Sequence, residues 1–261
     1  MNNKRVERSG IAQLELSNLL LPHVPVELVR AALDNAAGNE LGSGKLASPE
    51  SSSALAVNGF GFFLERPELL PRFPGLEDLD WPPIKVDIER QMRFPWSGGR
   101  HPWLDAAVET TSNLIGVESK RFEPFRDRKK AKLSDAYWRD VWGDGMDEWC
   151  AMRDRLRSDP AAYVHLDAAQ LVKHAFGLST QAKKLQKKGI LLYLYAEPSS
   201  GRIISDESFS RHREEISEFT DAVSGADLYF ASCSWKEWLS VSEGKARDHA
   251  QRVLKRFSLK A

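Results

Sequence analysis

Three consecutive strand-like segments, between residues 84 and 122, constrain this chain most. Trp103-Leu104-Asp105-Ala106-Ala107-Val108-Glu109 is followed by a short polar turn and then by Leu114-Ile115-Gly116-Val117-Glu118-Ser119-Lys120. The turn residues Thr110-Thr111-Ser112-Asn113 favour a hairpin. Because side chains alternate between the two faces of a strand, Glu118 and Lys120 share one face, and Asp105 shares a face with Glu109. If the two faces coincide, carboxylates and an ammonium group converge.

These residue types suit metal-dependent hydrolysis of a phosphodiester. Mg²⁺ prefers oxygen ligands and retains several waters, so Asp105 and Glu118 suffice as side-chain ligands, and the backbone carbonyl of Ser119 is a candidate third. Lys120 would hold the attacking water and neutralise charge in the transition state. Glu109 and Glu89 are candidate outer ligands. The alternative is a solvated strand face with alternating charges, but charges on otherwise apolar strands are costly unless they are paired or bound to metal.

Asp followed by Glu-x-Lys on consecutive strands resembles the PD-(D/E)XK nuclease superfamily, and most closely a bacterial restriction-endonuclease-like branch. Members of that branch carry a helix similar to Ser51-Ser52-Ser53-Ala54-Leu55-Ala56-Val57-Asn58 and a motif strand similar to Glu118-Ser119-Lys120-Arg121-Phe122-Glu123-Pro124-Phe125. Two departures stand out: Ser53 replaces a Gln, and Trp103-Leu104 replaces the Pro-Asp dipeptide. The resemblance covers roughly residues 50 to 235. It implies a Mg²⁺-dependent nuclease, with Mn²⁺ as a substitute metal.

Composition limits the ways in which such a protein could bind nucleic acid. Lys plus Arg equals Asp plus Glu at 37 each in 261 residues, so any contact with DNA must come from local patches rather than a global field. The two cysteines, Cys150 and Cys233, lack metal-type spacing and predict a reduced, cytoplasmic protein. No segment predicts a signal peptide or a membrane span.

The order of predicted elements indicates a mixed sheet flanked by helices. Helices are predicted over 25–37, 51–65, 166–185 and 206–223, and strands over 189–195 and 226–233 in addition to the first three. Tryptophans at helical spacing suggest a further helix within 135–157, and a helical basic tail closes the chain. We expect a single restriction-endonuclease-like α/β domain over residues 1–261, with extra N- and C-terminal helices around a core at about 50–235.

Several residues outside the motif are candidates for contact with the substrate. The basic run after the motif strand and a lysine pair at the end of a helix are predicted to bind the nucleic-acid backbone, although a solvated surface is the alternative; these residues are Arg126, Arg128, Lys129, Lys130, Lys183 and Lys184. Gln170, on the helix after the motif strand, is a candidate accessory residue, with an exposed amide as the alternative. Gly42-Ser43-Gly44-Lys45 lacks the first glycine and the Ser or Thr of a phosphate-binding loop. The histidines show no metal-type spacing.

The sequence therefore predicts a Mg²⁺-dependent endonuclease or exonuclease that hydrolyses DNA, with RNA as the alternative substrate, in restriction, repair or defence. Two other classes stay open. One is a non-catalytic nucleic-acid-binding or assembly protein that retains the nuclease fold. The other is a scaffold protein whose charged strand face is solvated.

Overall fold

One five-stranded mixed sheet organises the molecule. A computed structural model describes residues 16–36, 43–126, 130–199 and 203–259. The strands lie side by side in chain order: β1 (Lys85–Gln91), β2 (Trp103–Glu109), β3 (Asn113–Lys120), β4 (Lys188–Tyr195) and β5 (Tyr229–Ser234). The first three strands are antiparallel, whereas β3, β4 and β5 run parallel. A parallel pair needs a crossover connection, and helices supply it here.

Helices cover both faces of this sheet. They are α1 (Val26–Asn35), α2 (Ser52–Gly61), α3 (Asp147–Ser158), α4 (Ala168–Leu185), α5 (Asp206–Ala222), α6 (Trp235–Ser240) and α7 (Gly244–Phe257). One apolar cluster joins a sheet face to α1, α2, α6 and α7, and a second joins the opposite face to α3, α4 and α5. The predicted α/β class, with extra helices from both ends of the chain, is confirmed. The prediction of a single domain over residues 1–261 stays a prediction.

The first two helices are shorter than predicted. Pro25 is the N-cap of α1 rather than its first residue, and the predicted stop at Gly38 lies outside the described residues. The helix α2 ends at Gly61. Within it, Gly59 permits close packing, because a Cβ there would lie 2.4 Å from the Trp235 ring.

The tryptophan-rich segment contains the predicted helix, but its three tryptophans do not share it. A 3₁₀ turn covers Asp135–Trp138, and α3 begins only at Asp147. Between them, Gly143 and Gly145 adopt positive φ values of 78° and 76°, which interrupt the helical path. Trp142 and Trp149 are nevertheless buried, so their apolar character reflected the core rather than a shared helix.

Within the described part of the chain, no helix is long and apolar enough to cross a membrane.

Candidate active site

Asp105 lies where the regular sheet is interrupted on both sides. The β2–β3 ladder stops at the pair Ala106–Val117, so Asp105 and Glu118 would be the next residues to face each other. Here the Asp105 side chain replaces the ladder, because its Oδ2 accepts a hydrogen bond of 2.7 Å from the Ser119 N–H. On the other side, one residue per strand separates the pairs Ile88–Ala106 and Arg90–Leu104, which places Glu89 opposite Asp105.

Glu118 and Lys120 lie on the sheet face that α4 covers. Lys120 Nζ is 2.5 Å from Glu118 Oε1, and the second carboxylate oxygen of Glu118 lies 3.5 Å from Nε2 of His174 on α4. The side chains of Glu118 and Lys120 are only 3% and 14% exposed. The predicted solvated strand face is therefore wrong for these two residues, which form a buried ion pair.

Burial and mutual repulsion dominate the electrostatics of the site. Burial, followed by the charge of Glu118, raises the pKa of Asp105 to about 8, against the opposing effects of Lys120 and the Ser119 N–H. Burial also raises the pKa of Glu118, although Lys120 opposes it. Burial alone would lower the pKa of Lys120, but Glu118 and Asp105 together raise it. Fully ionised, the three groups leave one uncompensated negative charge, so this site favours an added cation or proton.

His174 is a neutral neighbour of this group. Burial, assisted by the charge of Lys120, lowers the pKa of His174 to about 3, so its contact with Glu118 is not an ion pair at neutral pH. Its Nδ1 is buried without a hydrogen-bond partner. No sequence pattern predicts His174 at this position, because it is 54 residues from Lys120 and belongs to a different element.

A pocket opens beside Lys120 at the N-terminal end of α4. Its polar lining consists of Lys120, Glu123, His165, Asp167, Gln170 and Tyr193. The structure thus brings Gln170 to the predicted site, on the first turn of α4, where its backbone N–H donates to the N-cap Asp167 at 3.0 Å. Asp167, His165 and Glu123 were not predicted as site residues. The sequence signal that could have located them is Asp167 as the N-cap of α4. A helix that connects two parallel strands starts near the end of the first strand, and so near the motif on β3.

The helix α2 supports the site through Glu123. Ser52 Oγ donates to Glu123 Oε1 at 2.6 Å, and the Arg121 N–H donates to the other carboxylate oxygen at 3.0 Å. Burial would raise the pKa of Glu123, but the Ser52 hydroxyl and Lys120 outweigh it, so the pKa is lowered. The helix thus reaches the motif strand through Ser52 rather than through Ser53, the position at which it departs from the family pattern.

Of the two outer ligands proposed from the sequence, Glu89 lies near the site and Glu109 does not. Glu89 lies opposite Asp105 and has a positive φ of 49°, an uncommon conformation for a residue with a side chain. Glu109 does not reach the site, because it is four residues from Asp105, about 13 Å along the strand. It instead pairs with Arg90 at 3.2 Å and Lys187 at 3.1 Å.

The backbone of Ser119 faces Asp105. The Lys120 carbonyl accepts from the Ala196 N–H at 2.8 Å and so points to the side of β4. Because successive carbonyls of a strand point to opposite sides, the Ser119 carbonyl points to the side of β2 and Asp105. Its side chain is held from behind, since Trp235 Nε1 donates to Ser119 Oγ at 3.1 Å.

The predicted nucleic-acid contacts fall at two distant places. Arg126 lies just beyond the motif strand and pairs with Glu50 at 2.7 Å; Lys130 is exposed, and Arg128 and Lys129 lie outside the described residues. Lys183 and Lys184 lie at the far end of α4, about 20 Å from Gln170 along the helix axis. Lys183 there donates to the carbonyls of Trp142 and Asp144. The structure therefore does not bring this lysine pair to the candidate site, and a role in binding stays a prediction.

A mixed sheet between helical layers, with an Asp and a Glu-x-Lys sequence meeting where its ladder opens, defines a restriction-endonuclease-like protein of the PD-(D/E)XK type. A family model described as Restriction Endonuclease associating with ARP matches residues 3–260. The chain belongs to this family, as the resemblance implied. No curated protein and no solved structure matches the chain.

Proposed function

We propose that this protein is a Mg²⁺-dependent nuclease that hydrolyses DNA phosphodiester bonds, with Asp105, Glu118 and Lys120 as the central residues. The observation that carries the proposal is the opening of the β2–β3 ladder at Asp105. There a half-buried carboxylate (Asp105), a buried one (Glu118) and a backbone carbonyl lie beside the ammonium group of Lys120, which lines a pocket. A site of this composition suits a phosphodiester whose charge must be neutralised during attack.

The donor set fits a hard divalent cation. Among the described residues, no three His, Cys, Asp or Glu side chains converge as a ready-made metal cage. Mg²⁺ does not need one, because it binds through one or two carboxylates and retains waters. Asp105, Glu118 and the Ser119 carbonyl would hold it, and the net negative charge of the ionised site favours it. When bound, Mg²⁺ would polarise the phosphoryl oxygen and lower the pKa of a bound water.

The chain's own groups would then divide the remaining work. Lys120 would orient the attacking water and offset the charge that develops on the phosphate. Gln170 and Asp167, which line the pocket, would hydrogen-bond the substrate or waters. Glu118, only 2% exposed, is itself shielded from bulk water.

Two substitutions test the proposal. Lys120→Ala removes the ammonium group but leaves both carboxylates and should lower the cleavage rate by ~10²–10³. Glu118→Gln keeps the shape of the side chain and should abolish cleavage that depends on Mg²⁺ or Mn²⁺. Plasmid nicking measures cleavage, and DNA binding in Ca²⁺ should survive both changes.

The outcomes separate this proposal from its alternative. Equal cleavage by wild type and both variants would place the activity elsewhere. No cleavage by the wild type on any DNA or RNA, with any divalent metal, would favour a nucleic-acid-binding or assembly protein that retains the fold. The family description names an association with ARP, so we include in the proposal that this protein acts together with such a partner, and the cleavage assay is repeated with it present.

A further inference from the structure

A second pocket lies next to the one at Lys120 and shares a wall with it. The residues common to both pockets are Pro124, Val164 and His165. The second pocket, which we call the flanking pocket, is completed by Phe125, Arg126, Glu207, Ser208 and Arg211. It therefore adds two guanidinium groups beside the candidate active site, with Glu207 as the opposing charge at its rim.

Both arginines keep donors available for a ligand. Arg126 uses Nη2 on the Glu50 side chain, and its side chain is 33% exposed. Arg211 uses Nε on Glu215 and Nη1 on Glu214, at 3.3 Å and 3.4 Å, and its side chain is 43% exposed. Among the described residues, the Nη2 group of Arg211 has no hydrogen-bond partner. Each guanidinium group thus holds a glutamate while at least one of its nitrogens keeps N–H groups for a ligand.

In the His165 ring, one nitrogen is hydrogen-bonded within the described part of the protein and the other is not. Its Nδ1 lies 2.8 Å from the Pro124 carbonyl, and since a carbonyl only accepts, Nδ1 must carry a proton. Nε2 is therefore the nitrogen left for a ligand in the shared wall. Only the imidazolium ring carries a proton on both nitrogens, so it is in that form that Nε2 donates to a phosphate.

The loop that carries His165 is firmly fixed. The fully buried carboxylate of Glu215 accepts hydrogen bonds from the N–H groups of Val164, His165 and Leu166 at 2.9, 2.7 and 2.9 Å. The wall between the two pockets is therefore built in advance rather than formed by the ligand, as a binding site requires.

We propose that the flanking pocket binds a phosphate group of the DNA backbone adjacent to the scissile one, through Arg126, Arg211 and His165. Guanidinium groups donate in a fork that matches phosphate oxygens, and an adjacent phosphate held here would position the next one at Lys120. This inference rests on the proposed function, since it takes DNA as the substrate. It adds a binding site and a direction for the strand, running from Lys120 past His165 toward the start of α5.

The test compares two arginines on the same helix. Arg211→Gln should weaken binding of a short fluorescent DNA duplex about tenfold and flatten the log–log salt dependence by about one unit, because one phosphate contact is lost. Arg213→Gln is the matched control: Arg213 is two residues away, is 47% exposed and also pairs with a glutamate, Glu197, but does not line the flanking pocket. It should change neither quantity.

Two further variants separate a binding role from a structural one. Arg211→Lys keeps the charge and should retain most of the salt slope. His165→Asn can keep the bond to the Pro124 carbonyl but has no group at the Nε2 position, so it should weaken binding like Arg211→Gln. Thermal unfolding identifies any variant that has simply lost the fold.

Binding is measured in Ca²⁺ with the Glu118→Gln background, so the result does not depend on cleavage. If the wild type does not cleave DNA but Arg211→Gln still weakens DNA binding, the proposed activity is wrong and the phosphate site stands. Equal affinity and equal slope for Arg211→Gln and Arg213→Gln would overturn the phosphate site, as would the absence of DNA binding by the wild type.

Discussion

At the scale of the single residue, Asp105 combines two demands that oppose each other. Its carboxylate closes the sheet by accepting a hydrogen bond from the Ser119 N–H. It is also half-buried near a second carboxylate, which raises its pKa to about 8. Groups that destabilise the free protein while serving chemistry are expected at functional sites. Asp105 is therefore the residue at which stability and activity should separate most clearly.

Asp105→Asn tests this separation. The amide oxygen can still accept from the Ser119 N–H, while the folded protein no longer has to protonate a carboxyl group whose pKa is raised to about 8. We expect the free energy of unfolding of the metal-free protein at pH 7 to stay the same or rise by about 1 kcal/mol, while metal-dependent cleavage is lost. Chemical denaturation with a chelator present measures the first quantity and plasmid nicking the second. A loss of several kcal/mol would mean that the carboxylate is needed for the fold.

At the scale of the element, the sequence predicted the bounds of the strands better than the side chains from other elements that surround the site. The apolar alternation of 103–120 and the continuous run 189–195 indicated β2, β3 and β4 within one or two residues, because a buried strand leaves a direct pattern in its own residues. The same alternation correctly put Glu118 and Lys120 on one face. It wrongly extended the site to Glu109, since sharing a face says nothing about distance along the strand.

Positions that depend on several elements could not be predicted in this way. His165 and Asp167 lie in a loop and an N-cap whose place is fixed by Glu215, a residue of α5 about 50 positions later. Likewise, Lys183 and Lys184 follow Gln170 closely in sequence but face the other end of the sheet. Helical spacing identifies a shared stripe, whereas the site occupies only one end of it.

The link between α5 and this loop gives a prediction for the elements around the site. Glu215→Gln replaces one acceptor oxygen by a donor and leaves buried N–H groups unsatisfied, so it should lower the free energy of unfolding by about 2–4 kcal/mol. Glu218→Gln is the control, because it lies on the same helix with its side chain 47% exposed. Denaturant melts measure both. Equal, small effects would show that the loop is held by other contacts.

At the scale of the whole molecule, several charged side chains of this chain, which has equal numbers of acidic and basic residues, form hydrogen bonds and ion pairs within the fold. Lys187 donates to the Thr110 carbonyl and pairs with Glu109. Asp80, in the loop before β1, accepts from Thr110, Ser112 and Asn113 and so holds the β2–β3 turn. Basic residues counted in the sequence are thus not all free to contact a ligand, so composition alone could not locate a binding patch.

Asp80 makes the stability of the molecule depend on pH. Burial opposes ionisation, but the hydrogen bonds of the hairpin outweigh it and lower the pKa to about 2. Since the folded-state pKa lies below the ordinary value of 3.8, its contribution of about 1–2 kcal/mol is present above pH ~4 and is lost as the pH falls toward ~2. Asp80→Asn should lower stability at pH 7 by this amount, and its difference from wild type should shrink as the pH falls through this range.

The control for this change is Asp78→Asn, an exposed carboxylate two residues earlier. Thermal unfolding from pH 7 to pH 3 follows all three proteins. A difference between wild type and Asp80→Asn that stays constant with pH would show that the carboxylate charge does not stabilise the turn.

The approach of Trp235 to Gly59 has a consequence for how the protein can change over generations. The indole fills the space that a methyl group on Gly59 would need. Its N–H donates to the hydroxyl of Ser119, which lies between Glu118 and Lys120 in the sequence. An uncharged substitution of Gly59 in α2 would therefore displace Trp235 and, through it, shift Ser119 of the motif strand. Sequence change in this part of the core is therefore tied to the position of Glu118 and Lys120, whose side chains lie on the opposite face of the sheet.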